Sequence, residues 1–202
     1  MHVAVIDIGR PGKNLGWAIR GPSISDQGSD LDACIVALCA ALSQTPLALG
    51  FEAPLFIPMG QAPQELTKAR QGECENGINR PFSAGAGASV LVTGLTVIPY
   101  VLAKIRSAGR GIQATLNWKS PMAPGQMLLF EAFVSNQKSN SADRHINDCL
   151  LAISAFEACL AANKESSVRV STSFNLLGAM LLRTGWTDDI GILAQSCLVV
   201  KA

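Results

Sequence analysis

The chain has 202 residues, 49% hydrophobic and 15% charged, with a formal net charge of +1. That length and apolar content suit one sizeable domain with a full core, and the charged fraction lies well below the usual level of about 25%, as expected when a sheet is buried on both faces or a partner covers some surface. The near-neutral balance excludes a polyelectrolyte, so any contact with nucleic acid has to come from a local basic patch.

Residues 2–8 form a short run rich in Val and Ile, consistent with a buried central strand. RPGKN is a turn signal, and GWAIR reads as a second strand that makes a hairpin with the first. The segment GSDLDACIVALCAALSQ carries apolar residues at helical spacing, with Ser29 or Asp30 as N-cap. PLALGF is a further strand, and the two prolines of EAPLFIP exclude a helix interior there. Residues 59–88 hold Gly, Gln, Asn, Pro and charge, a long connection of the kind often used for substrate binding.

A helix is expected from Ala88 to Arg106, kinked or broken at Pro99. GIQATLNW and MLLFEAFV read as strands on either side of the loop KSPMAPGQ. The clearest helix spans 141–163, where Ile146, Leu150, Ile153, Phe156 and Leu160 recur at helical spacing and Ser139 or Ser141 can cap the start. VRVS, a short helix NLLGAMLLRTG and a last strand SCLVVK close the chain. The order is β-β-α-β-loop-α-β-β-α-β-α-β, which predicts an α/β mixed sheet with helices on both faces. Six cysteines, Cys34, Cys39, Cys74, Cys149, Cys159 and Cys197, show no CxxC spacing and read as small hydrophobes. The opening apolar run is short and contains Asp7, and no uninterrupted apolar stretch reaches about 20 residues, so a cytoplasmic, reduced protein without a membrane partner is expected.

Four carboxylates stand against strongly apolar sequence: Asp7 after HVAVI, Glu52 after LALGF, Glu131 inside MLLFEAFV, and Asp148 on the apolar border of the 141–163 helix. A buried, unpaired carboxylate costs several kcal/mol, so four from separate elements suggest a shared cation. Asp7 and Glu52 fall at the carboxyl ends of their strands, where ligand groups of open α/β sheets gather. Glu131 lies further into its strand. His145 precedes Asp148 by three positions and shares its helix face. Hard oxygen ligands select Mg²⁺ or Mn²⁺ over zinc, and paired divalent ions held this way support phosphodiester cleavage. The plainer readings are a turn-initiating Asp7, solvent-facing Glu52, a Glu131–arginine pair, and an ion pair of Asp148 with Arg144 one turn back. Asp30 and Asp143 look like helix-start residues.

VAVIDIGRPGKNLGWAI resembles the first hairpin of the RNase H-like superfamily, whose first strand carries a metal-binding Asp, and LGFEAPLFIP resembles its fourth strand with an acid at the end. HINDCLLAISAF is similar to the closing helix of the Holliday-junction-resolvase-like branch, where an acid completes the site. With FEAF and ARQGECENGINRPFS, most of the chain resembles a group of predicted RNase H-like nucleases. The resemblance implies a single RNase H-like domain over 1–202 with a loop-rich insertion at about 59–88, and a metal set of Asp7, Glu52, Glu131 and Asp148. Such resolvases often place two acids on the last helix; here the matching position is His145, a group that can bind metal or move a proton.

The expected function is a divalent-metal-dependent nuclease acting on a structured or branched DNA or RNA. Arg10, Lys13, Lys68, Arg70 and Arg80, in loops leaving the same strand ends, would line one lip of the cleft. PFSAGAGAS, ahead of a helix, can present backbone N–H groups to a phosphate or be a plain flexible loop. Trp17 and Trp118 read as core or interface rather than base-stacking platforms. Two other classes compete. One is a catalytically silent RNase H-like scaffold or assembly subunit, which the low charge favours. The other is a single-lobed relative of sugar-kinase or actin-like ATPases, suggested by DIGRPGKNLGWA. A homodimer stays open.

Overall fold

All six residues of β1 (His2–Asp7) are buried, as the unbroken apolar run HVAVI requires for a strand covered on both faces. In the computed structural model, which describes residues 1–74, 80–109, 111–134 and 143–202, this strand lies inside a mixed sheet. It pairs antiparallel with β2 (Gly16–Arg20) and parallel with β4 (Leu47–Glu52). Beyond β2 lies β3 (Ser25–Gly28), also antiparallel, and beyond β4 lies β7 (Gln126–Phe133), parallel. The far edge of β7 is shared. Its first half pairs with β6 (Gln113–Thr115) and its second half with β9 (Leu198–Lys201), both parallel. A separate two-stranded pair joins β5 (Phe56–Pro58) to β8 (Ser173–Asn175).

Alternation along the strands sends side chains to two cores. Ile6, Leu49, Phe51 and Leu129 face α1 (Leu31–Leu42), α2 (Gly85–Ala108) and α4 (Leu176–Arg183). Val3, Val5, Ala48 and Phe130 face α3 (Arg144–Ala161), which contributes Cys149, Ala152, Ile153 and Phe156. The protein is therefore an α/β fold, with a mixed sheet between helices on both faces, as expected. Phe130 and Phe156 stack at 4.3 Å between ring centroids, and Gly50 makes room for them: a Cβ there would lie 2.4 Å from the Phe130 ring. Burying each such large apolar side chain contributes about 1.5–3 kcal/mol.

Several expectations shift in detail. Asp30 caps α1, its side chain accepting from the Ala33 N–H at 2.7 Å. β3 and β5 are additional strands, and the segment VRVS contributes only an isolated bridge at Arg169 before β8. α2 is not broken at Pro99 but continues past it as one helix of 24 residues. It thereby overturns the expectation that no apolar stretch reaches membrane-span length, since by length and composition α2 does. Its inner side, including Ile98, Val101, Leu102 and Ile105, is buried, while Val92, Leu95 and Tyr100 are exposed. The N-cap position of α3 is Asp143, without a side-chain capping bond; Ser139 and Ser141 lie outside the described residues.

Candidate functional site

Asp7 and Glu52 are register partners at the ends of adjacent parallel strands, so their side chains leave the same face of the sheet. That face is the one α3 covers. On the other side of Asp7, its antiparallel partner is Gly16. A Cβ at Gly16 would stand 2.6 Å from the carbonyl carbon of His145 and 2.7 Å from its Cβ. The missing side chain lets the first turn of α3 lie directly on β2, which brings His145 and Asp148 down onto Asp7.

The contacts are close. His145 Nδ1 lies 2.5 Å from Asp7 Oδ2. One ligand atom each of Asp7, His145 and Asp148 falls within 4.8 Å of the others. Arg144 Nε is 3.7 Å from Asp148 Oδ2, so the plainer ion pair weighed for Asp148 is also present. Two carboxylate oxygens, Glu52 Oε2 and Asp148 Oδ1, are buried with no hydrogen-bond partner among the described residues. Such orphaned oxygens are costly unless something else meets them.

All three carboxyls are pushed above their ordinary range. Burial is the main cause for Asp7, offset in part by the His145 hydrogen bond. Glu52 is raised furthest, first by burial and then by the charges of Asp7 and Asp148. Asp148 is raised by burial against the opposing pull of Arg144 and His145. Burial raises all three, and the neighbouring carboxylates add to it at Glu52 and Asp7, so the cluster favours a proton or a cation.

Glu131 does not join them. Its register partner on β4 is Phe51, not Glu52, so it points to the opposite face of the sheet. There Arg70 grips it, Nη2 to Oε1 at 2.6 Å and Nη1 to Oε2 at 2.8 Å. Glu131 is thus corrected from metal ligand to half of a buried ion pair, the plainer reading weighed for it. Arg70 is corrected with it: its side chain is fully buried and cannot meet a polyanion. Glu73, not singled out from the sequence, is the second buried carboxylate on Arg70, 2.8 Å from Nε.

The other cations spread out. Arg10 and Lys13 lie exposed in the turn after β1, and Lys68 is exposed in the long connection. Among the described residues none of these three pairs with the acids. Arg80 is partly buried, its Nη1 donating to Val134 O at 2.9 Å, and its charge reaches Glu52 and Asp148. Arg80, Glu52, Ala86, Gly87 and Val90 line a cavity of about 70 Å³ beside the strand ends. Ala86 and Gly87 belong to the first turn of α2, whose start has no side-chain cap. Trp17 is a core residue, and Trp118 packs against the α3-side core. Gly16 and Arg144 are the parts of the site that sequence reasoning missed as such. Arg144 was visible only as a partner for Asp148, and a lone glycine at a strand start carries no signal for a helix crossing above it.

No protein-family model, curated protein or solved structure matches the chain.

Proposed function

We propose that this chain is a divalent-metal-dependent nuclease with an RNase H-like core, acting on a structured or branched nucleic acid. The observation that carries the reading is the cluster of Asp7, His145 and Asp148 at the carboxyl edge of the sheet, with Glu52 beside Asp7 on the next strand and, among the described residues, Glu52 Oε2 and Asp148 Oδ1 buried without a hydrogen-bond partner. The sheet order β3-β2-β1-β4-β7, antiparallel through the first three strands and parallel after them, supports the RNase H-like core, as does the helix that brings an acid to the first strand.

The donor set fits Mg²⁺ or Mn²⁺: carboxylate oxygens dominate, with a single imidazole nitrogen at the margin. Asp7, Glu52 and Asp148 would hold the ion, and Glu131 would not. Such an ion lowers the pKa of bound water and stabilises charge on the leaving oxygen. His145 fixes the Asp7 carboxylate through Nδ1, which leaves Nε2 to exchange a proton with solvent or substrate. Its side chain is one-third exposed, so it is reachable from outside. Arg144 and Arg80 bring positive charge to the rim, where phosphate would approach. Arg10, Lys13 and Lys68 are exposed on loops and would meet phosphate only further from the acids.

One observation favours the silent scaffold instead. The His145–Asp7 bond and the Arg144–Asp148 pair hold two of the acids without any ion. Calorimetric titration with Mn²⁺, together with cleavage assays on duplex, single strand and a four-way junction, separates the readings. The nuclease reading expects saturable Mn²⁺ binding and cleavage, both lost in Asp7→Asn. Absence of both in the wild type leaves the scaffold.

A further inference from the structure

We infer that Arg70 and Glu131 are positioning residues for Glu52, acting from the opposite face of the sheet; this rests on the metal-binding reading above. Glu52 is the last residue of β4, and the ladder between β4 and β7 stops one residue earlier, at Phe51 and Glu131. Among the described residues Glu52 Oε2 has no hydrogen-bond partner. The chain beyond it is tied down from below. Glu131 Oε2 accepts the Leu55 N–H at 2.9 Å, three residues past Glu52.

Arg70 locks that arrangement. Besides its two bonds to Glu131, Nη1 donates to Phe56 O at 3.1 Å and the guanidinium lies 4.6 Å from the Phe56 ring centroid. Glu73 accepts from Arg70 Nε at 2.8 Å and from its backbone N–H at 2.7 Å. One guanidinium therefore joins three segments: β7, the turn after Glu52, and the connection that leads on to Arg80. The planar fork is essential to this, since a lysine at 70 offers a point charge and cannot span both Glu131 oxygens. The clamp converts the fixed register of β7 into a fixed position for the chain just past Glu52.

The test uses the full chain and three variants: Glu131→Gln, Arg70→Lys, and the triple Arg70→Met/Glu73→Gln/Glu131→Met. The triple removes the whole buried ionic group at once and so avoids stranding a charge, a replacement that commonly preserves folding. Two quantities are read: the Mn²⁺ dissociation constant well below each melting temperature, and amide exchange at Leu55 relative to Ile6 and Leu49. Positioning predicts at least a tenfold weaker Mn²⁺ affinity and at least tenfold faster relative exchange at Leu55, in the triple as well as in the singles, even where the triple regains melting temperature. A purely structural role predicts affinity within twofold of wild type and exchange that rises equally at all three amides; that result overturns the inference. If wild type binds no Mn²⁺, the metal reading fails, and the exchange ratio alone decides whether the clamp fixes the turn after Glu52.

Discussion

Gly16 lies beneath His145 so closely that any side chain at position 16 would strike the first turn of α3. Gly16→Ala is expected to push that turn off β2. The fold should lose about 1–3 kcal/mol, the usual cost of overpacking, and the response to Mn²⁺ should weaken more than stability alone explains. Urea denaturation with and without Mn²⁺ checks both. A variant as stable as wild type, with the same Mn²⁺ shift, would show that α3 does not depend on the glycine.

The raised carboxyls set the direction of a pH dependence. Asp7, Glu52 and Asp148 take up protons in the folded, metal-free protein at higher pH than in the unfolded chain. In the window from their ordinary values of 3.8 and 4.5 upward to their folded values, the native state binds more protons. Stability contributed by the site therefore falls as pH rises through that window. His2 works the other way, since burial lowers its pKa, so the site is isolated by difference. In chelator, Glu52→Gln is expected to melt above wild type, by a margin that widens from pH 5 to pH 8. With saturating Mn²⁺ the order should reverse, because a cation that binds only the native state stabilises the wild type by mass action. A margin independent of pH would remove Glu52 from the charged cluster.

Arg70 and Arg80 should separate cleanly. Arg70→Ala leaves Glu131 and Glu73 buried without their partner, and breaking such a group typically costs about 3–5 kcal/mol. Chemical denaturation reads this loss directly. A variant within about 1 kcal/mol of wild type would contradict the burial of the pair.

Arg80→Ala should leave the fold nearly unchanged and weaken binding to nucleic acid. Each phosphate neutralised adds about −0.9 to the slope of log affinity against log salt on duplex DNA, so the slope should shrink in magnitude by about one. The wild-type slope should itself be shallow, roughly −2 to −4, because few cations line the site. Titrations with Ca²⁺ replacing Mg²⁺ across a salt series provide the measurement. An unchanged slope would place Arg80 outside the binding surface.

Much of the framework was legible because burial on both faces leaves a plain signal. HVAVID and GWAIR gave β1 and β2 nearly to the residue. β3 escaped because SDQG has no apolar alternation; it is a strand only through its pairing with β2 at the sheet edge. The site was half legible for a related reason. Glu52 and Glu131 look alike in sequence, each an acid in an apolar strand. What separates them is a single step of register, which sends one to each face. Arg70 sits in a polar connection that reads as surface, and only the tertiary fold reveals that two carboxylates close over it. The stripe on α3 was read close to its true face, although Cys149, Ala152 and Cys159 line its centre rather than Leu150 and Leu160.

Asp7 meets Gly16 through a local hairpin, but it meets His145 across 138 positions of chain. Contacts of such long range must overcome loop-closure entropy before they contribute, and they form late. The hairpin can nucleate early, whereas the cluster exists only after β4 has paired with β1 and α3 has docked. The unfolded chain thus offers a cation no ready chelate, since its acids are scattered. Ion binding should slow unfolding rather than speed folding, and stopped-flow kinetics with and without Mn²⁺ would show it in the unfolding limb.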